Sequence, residues 1–590
     1  MKKSLTRLFT WIGGVVFFYA LFLIVVLAIP RFRDRVADRT ILEVNLEKEL
    51  VESVPDDAVA KALLRNQPSV RDIVDALDRG AADERVAGLV AHIGAAPQGM
   101  AQVQEIRDAV ARFRAQKKFA IAYSETFGEF RNGGSAYYLA TAFDEIWLQP
   151  SGDVNLAGIM LEPMFRRGAY DKLGLRFRGG QRYEYKNAFN IHVEKKFTPA
   201  HREAMESIAK SWYGQWVRGI AAARKMSEDD VRVVIDRGPF LGQEAIEAKL
   251  VDRLAYRDEV MDEAKKRAGE GAARLSLAKY LERAGRLHDE GQTIALIYGS
   301  GGVERGKSGF NPLTGDFTMG SDTVAAAFRA AIDDQDVKAI LFRVDSPGGS
   351  YVASDTIWRE VERARKAGKP VIVSMGDLAG SGGYFVAMSA DKIVAQPGTI
   401  TGSIGVLGGK MLTSGLWDKI GVSWDEVHAG ANATMWTGTH DYSPAEWQRF
   451  EGFLDRVYSD FTTKVAAGRK LPKEQVLKIA KGRIYTGEDA KALGLVDELG
   501  GFDTALRLAK QAAKIPDTEE VKLQLYPRPR TLGEALLAFG RRDDDDVAAE
   551  ATATEAAIRA LESVQPLARR IEMLTGVEMD VLSMPVEVRP

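Results

Sequence analysis

The sequence predicts an α/β fold built twice in tandem behind an N-terminal transmembrane helix, and three observations carry that expectation. The first is a run without a charged side chain, from Phe9 to Ile29. The second is internal repetition: FTPAHREAMES at Phe197 returns as YSPAEWQRFEG at Tyr442. The third is the alternation, inside the repeat, of short apolar runs with amphipathic segments, which favours largely parallel strands separated by helices.

The anchor comes first. At about 1.5 Å per residue, 9–29 would cross roughly 30 Å of hydrocarbon. A secretory leader usually has a shorter apolar stretch and a small-x-small cleavage site, and Ala28-Ile29-Pro30 offers none. Residues 1–39 therefore read as an uncleaved membrane anchor. Its orientation is not set by charge counting, because Lys2, Lys3 and Arg7 precede the run while Arg31, Arg33, Arg35 and Arg39 follow it.

The repeat sets the remaining boundaries. The offset between Phe197 and Tyr442 also carries AAARK at Ala221 onto AAGRK at Ala466, and GQEAIEAKLVDRL at Gly242 onto GEDAKALGLVDEL at Gly487. Upstream the offset drifts slightly, matching AYYLATAFDEIWLQP at Ala136 with GYFVAMSADKIVAQP at Gly383, and Val86 with Val337. The copies run over 40–256 and 292–501, joined by a charged connector, 257–291, expected to be helical. In the second copy TIALIY, AILFRV, PVIVSM and KIVAQ read as buried strands, whereas DTVAAAFRAAIDD and SDTIWREVERARKAG have helical spacing. The tail, 502–590, is expected to be helical and contains the acidic run Asp543 to Asp546.

Composition removes several classes of function. With 80 basic and 82 acidic side chains the net charge is −2, which provides no bulk attraction for nucleic acid. The absence of cysteine excludes thiolate catalysis, thiolate metal sites and disulfides. Six scattered histidines show no metal-binding spacing, so no metal or other cofactor is expected. Gly301 to Ser308, GGVERGKS, matches a phosphate-loop pattern, but the following GFNPLTGDF reads as loop where the chemistry needs a helix N-terminus.

The stretch GDLAGSGGYF, Gly376 to Phe385, holds one serine among four glycines. Ser381 sits between a buried strand and a helix, where a turn would expose it near unpaired amides able to stabilise an oxyanion. Capping the helix is the plainer alternative. VDSPGGS, after the preceding strand, places Gly348-Gly349 where a second set of bare amides could face the same point. A serine nucleophile needs a base, but the two histidines beyond it, His428 and His440, lie in no recognisable acid-histidine arrangement. A lysine neutralised by burial can serve instead. The repeat directs the search: Ser381 aligns with Gly134, and Ser346 to Gly349 with Ala95 to Gln98, so the first copy lacks both features. It offers Lys186 within RYEYKNAFN, whose counterparts in the second copy are Ala431 or Ala433. Burial among Tyr183, Tyr185 and Phe189 is the expected cause of its neutrality.

At these residues the chain resembles the long, tandem-repeat form of the signal peptide peptidase A family, membrane-anchored bacterial Ser/Lys proteases of the ClpP/crotonase fold. The likeness rests on YK at Lys186, DSPGG at Asp345, SGGY at Ser381 and TGSIGV at Thr401. NAFNIHVEKKF after the lysine departs from the family's Ser-Ala and Glu-Pro-Phe. The resemblance implies that Ser381 is the nucleophile, Lys186 the general base and Ser403 a hydroxyl that orients the lysine, with oxyanion amides from Gly348, Gly349 and Gly382. It further implies hydrolysis of cleaved signal peptides on the periplasmic side of the bacterial inner membrane by a homo-oligomer, expected to be a tetramer. Other envelope substrates, such as misfolded proteins, and a nonhydrolytic membrane scaffold are the alternative readings.

Overall fold

The computed structural model describes residues 35–528, apart from 55–59, 61–62, 65–66 and 95–97. The expected membrane span, most of the Ala95 to Gln98 alignment and the Asp543 to Asp546 run lie outside the described residues. Among the described residues no helix is long and apolar enough to cross a membrane.

Two sheets form the body of the chain, the first parallel throughout and the second parallel except where Ile400–Gly402 meets Ile484–Thr486. The first has the spatial order Arg253–Leu254, Glu145–Leu148, Phe119–Ser124, Val86–Ile93, Thr40–Leu46 and Arg274–Ser276. The second repeats it, with Val371–Gly380, Val337–Ser346, Gln292–Ser300 and Val521–Tyr526 in sequence across the sheet. The central strands are apolar on both faces because helices cover both. All four strands expected in the second copy form, and the two expected helices are Ser321–Asp333 and Tyr351–Lys366.

Two boundaries change. The connector holds helices Arg257–Ala268 and Leu277–Ala284, but Arg274–Ser276 between them is a strand parallel to Thr40–Leu46. The tail begins with helix Phe502–Ala512 and then supplies Val521–Tyr526, which pairs with Gln292–Ile297. Each copy thus ends in a helix and an edge strand. A three-residue strand is too short to show a period of two, which is why the connector reads as helix alone.

Strand Val371–Gly380 changes neighbours along its length. Its first half pairs with Lys392–Ala395, and its last three residues pair with Ile400–Gly402. This splaying opens the sheet beside Ser381. The copies are also threaded together. Arg176–Arg182 of the first lies antiparallel to Val406–Leu412 of the second, from Arg176 opposite Leu412 to Arg182 opposite Val406. Elsewhere between the copies, buried Arg343 reaches two acids of the first copy, Glu52 at 2.8 Å and Glu105 at 2.9 Å.

Candidate active site

Ser381 stands at the junction of strand Val371–Gly380 and the short helix Gly382–Ala387. Its backbone occupies φ 53° and ψ −111°, a strained region for a residue with a side chain, and its hydroxyl makes no cap bond to the helix. The capping alternative therefore fails. So does the expectation of an exposed hydroxyl, since Ser381 is completely buried. Its amide is anchored to Gly402 O at 2.8 Å, so strand Ile400–Gly402, parallel to the end of Val371–Gly380, fixes the turn.

The two-copy ribbon brings Lys186 to this serine. Four residues beyond Arg182, the lysine is 1% exposed and places Nζ 2.7 Å from Ser381 Oγ. The remaining Nζ partners are Ser403 Oγ and Ser403 O, both at 3.0 Å. Lysine and serine meet within one chain although 195 residues separate them. Burial pushes the Lys186 ammonium well below its usual range, with no carboxylate holding it charged. The wall around it differs from the expected aromatic one. Tyr183 is 45% exposed and packs on Tyr458, the Tyr185 ring lies under Arg483 and Phe189 packs edge-on against Phe177, while all three hydrogen-bond partners of Nζ come from the second copy.

A second-copy residue packed against the Lys186 backbone left no clear mark in the sequence. At Gly482, φ is +83° and a β-carbon would lie 2.6 Å from the Lys186 β-carbon. Only glycine lets the Lys481-Gly482-Arg483 turn press against the lysine backbone, while Lys481 O accepts the amides of Tyr183 and Tyr185.

Gly348 and Gly349, at φ 103° and 150°, form the second turn. Val303 bridges it, giving its amide to Gly348 O at 2.8 Å and accepting from Ser350 N at 2.7 Å. That pairing directs the Gly349 amide away from Val303. It faces the start of the Ser381 helix, where a β-carbon built on Gly382 would lie 3.0 Å from Gly349 N. The Gly348 amide is already committed to Ser346 Oγ at 3.2 Å. Of the three glycines expected to offer amides, Gly348 thus gives its own to the turn, while Gly349 lies against Gly382 at the start of the Ser381 helix.

Neither His428 nor His440 joins the cluster; both lie beside Glu426 instead. In the phosphate-loop lookalike, Gly302–Glu304 is a strand and the next helix starts only at Ser321, so no helix N-terminus follows Lys307. Glu47, His92 and Glu125 form a group of possible metal ligands in the first copy, but the two ring nitrogens of His92 face different carboxylates. Only Nε2, towards Glu125, makes a hydrogen bond, and Nδ1 approaches Glu47 without one.

Sequence reasoning also missed a half-buried pair of acids, Asp345 and Asp377, on the strands that lead to the two glycine turns. Asp345 accepts from Leu378 N, and Asp377 accepts from Ala101 N and Gln102 N at the start of helix Met100–Ala115. Burial, reinforced by the Glu52 charge, pushes Asp377 up to about 7 and Asp345 well above the usual carboxylate range.

The model for peptidase family S49 matches residues 112–270 and 363–516, which takes in Lys186 in one segment and Ser381 and Ser403 in the other. The chloroplastic serine protease SPPA of Arabidopsis thaliana is 32% identical over 77% of this chain and 67% of its own. Protease 4 of Salmonella typhi is 35% identical over 76% of this chain and 72% of its own. Among solved structures, a ClpP1 mutant from Listeria monocytogenes is similar over 36% of this chain and 94% of its own, at 16% identity and a TM-score of 0.22. With both copies matched by one family and two relatives above 30% identity along most of their lengths, the chain belongs to peptidase family S49 and is a serine peptidase of the tandem SPPA type.

Proposed function

We propose that the chain cleaves peptides through a Ser381/Lys186 dyad, on ClpP/crotonase-like domains held at the bacterial inner membrane by residues 9–29. The observation that carries this reading is the 2.7 Å approach of Lys186 Nζ to Ser381 Oγ in a buried site where burial alone depresses the lysine. Neutral Lys186 accepts the Ser381 proton as Oγ attacks the scissile carbonyl. The oxyanion forms opposite the Gly349 and Gly382 amides. Collapse breaks the C–N bond, the Lys186 ammonium returns its proton to the leaving amine, and the acyl-serine is hydrolysed by a water that the same lysine deprotonates. Ser403 orients Nζ throughout.

Cleaved signal peptides on the periplasmic side are the proposed substrates, because a catalytic body tethered by one apolar run works where membrane-derived fragments are released. The proposed working form is a homo-oligomer, a tetramer in this reading. Labelling by a fluorophosphonate probe tests the dyad. Wild-type protein should label, Ser381→Ala should not, and Lys186→Ala should lose both labelling and peptide hydrolysis while staying folded. Members of one catalytic unit fail together, so the double variant should be no worse than either single one. Normal labelling of Lys186→Ala would remove the lysine from the mechanism.

A further inference from the structure

DSPGG places a second fully buried serine beside the nucleophile. Ser346 ends strand Val337–Ser346 and lies opposite Ala379, two residues before Ser381. Its hydroxyl links two segments: Oγ donates to Gly301 O at 2.6 Å and accepts from Gly348 N at 3.2 Å. A hydroxyl carries a single proton, so the donation to Gly301 O sets its rotation and leaves a lone pair turned to Gly348. The backbone of Ser346 meets a third segment. A β-carbon built on Gly383 would lie 2.6 Å from Ser346 O and 3.1 Å from the Ser346 β-carbon, so the start of the Ser381 helix is seated on this residue. Gly301 is itself held, by donation of its amide to Asp345 O at 2.9 Å and by Phe317 O, which a β-carbon at Gly301 would overlap at 1.7 Å.

We propose that Ser346 is a positioning residue for the oxyanion site, fixing the Gly348-Gly349 turn so that the Gly349 amide stays towards the Ser381 helix. This rests on the reading in which the oxyanion forms opposite the Gly349 and Gly382 amides. Glycines at φ 103° and 150° have no side chains to hold the peptide plane between them, and a half-turn of that plane would present Gly348 O where the Gly349 amide is needed. The structure restrains Gly348 at both ends: Ser346 Oγ accepts from its amide, and Val303 N donates to its carbonyl. Val303 stands two residues after Gly301, so the GGV that opens the phosphate-loop lookalike anchors both restraints. The repeat agrees. The first copy has Gly134 in place of Ser381 and Ala95 in place of Ser346, so the copy without a nucleophile also lacks this hydroxyl.

A hydroxyl that serves packing alone would, on removal, lower stability without distinguishing bound substrate from transition state. One that holds an oxyanion donor in place matters where charge develops, so its loss falls on kcat and leaves KM alone.

Detergent-solubilised full-length Ser346→Ala should hydrolyse a fluorogenic peptide with kcat lowered about 30-fold and KM unchanged; outright loss of one oxyanion donor costs about 10²–10³-fold, and a loosened donor costs less. A peptide boronate, whose tetrahedral adduct with Ser381 resembles the intermediate, should bind more weakly by the same factor. The pH dependence of kcat should not move, because Lys186 keeps its three partners. Ser346→Cys keeps the volume with a weaker donor and acceptor, so its kcat should fall between those of alanine and wild type, and it carries the test if the alanine variant does not fold. Fluorophosphonate labelling of wild type, lost in Ser381→Ala, decides the dyad separately. In protein that labels, a wild-type kcat in Ser346→Ala, or a defect confined to KM with boronate affinity unchanged, would overturn this proposal and leave the dyad standing.

Discussion

Replacing Gly482 by alanine tests whether the position of Lys186, and not merely its presence, sets the rate. The new β-carbon would lie 2.6 Å from both the β-carbon and the amide nitrogen of Lys186 and 2.7 Å from its α-carbon. Carbon atoms in contact normally sit about 3.5–4.0 Å apart, so one backbone must retreat by about 1 Å. The lysine side is backbone, which cannot rotate away. A retreat of that size would open the 2.7 Å approach of Nζ to Oγ beyond hydrogen-bond range. Misplacement by about 1 Å costs on the order of 100-fold, or about 2.7 kcal/mol of activation free energy. The assay is kcat/KM on a fluorogenic peptide together with the rate of fluorophosphonate labelling. Gly368→Ala is the matched control: its φ is +79°, so the backbone strain is similar, but nothing lies within 4 Å of the added carbon. It should lose some thermal stability and keep its labelling rate. A folded Gly482→Ala protein labelling within threefold of wild type would refute the reasoning.

Ser403→Ala removes one 3.0 Å partner of Nζ but leaves the Ser403 carbonyl at 3.0 Å, so kcat should fall about tenfold with KM unchanged; loss as complete as in Ser381→Ala would show a larger role. Lys186→Met should raise the melting temperature at pH 7. The folded lysine is depressed while the unfolded one is not, so the wild type gains stability as pH rises and the advantage of methionine should shrink towards pH 10. Asp377 works in the opposite sense. Held up at about 7, its contribution is complete below the unfolded carboxylate pKa of about 3.9 and is lost as pH rises through 7. Asp377→Asn keeps an acceptor for Ala101 N and Gln102 N, so urea midpoints at pH 5 and pH 8 should lie closer together than in wild type.

Those features were legible in the sequence that are written locally or by repetition. The central strands announce themselves as apolar runs. Ser381 stands out by its glycines, and Lys186 by being the residue the second copy lacks. Features made by contact between distant segments were not legible. Gly482 is one glycine of 56 until its neighbour is known to be Lys186. The commitment of the Gly348 amide depends on the rotamer of Ser346. Arg343 and Glu52, 291 residues apart, share no local pattern that would join them. The aromatic residues flanking Lys186 suggested the wrong wall because adjacency in sequence says little about which side chains cover a given atom.

Because Lys186 and Ser381 lie in different copies, the depression of the Lys186 ammonium is a property of the docked pair of copies. The first copy carries the lysine, but its three Nζ contacts all come from the second. Away from them the amine would meet water and hold its proton through neutral pH. Docking must therefore be held firmly enough to offset the desolvation of an amine. The seam supplies that restraint through Arg343, 2% exposed, which binds Glu52 and Glu105 of the other copy, while Glu105 also accepts the Phe502 amide at 2.8 Å. Sliding the copies apart would leave a buried guanidinium without its carboxylates, at about 3–5 kcal/mol for a broken buried pair. The ion cluster and the Lys186–Ser381 contact stand or fall with one interface.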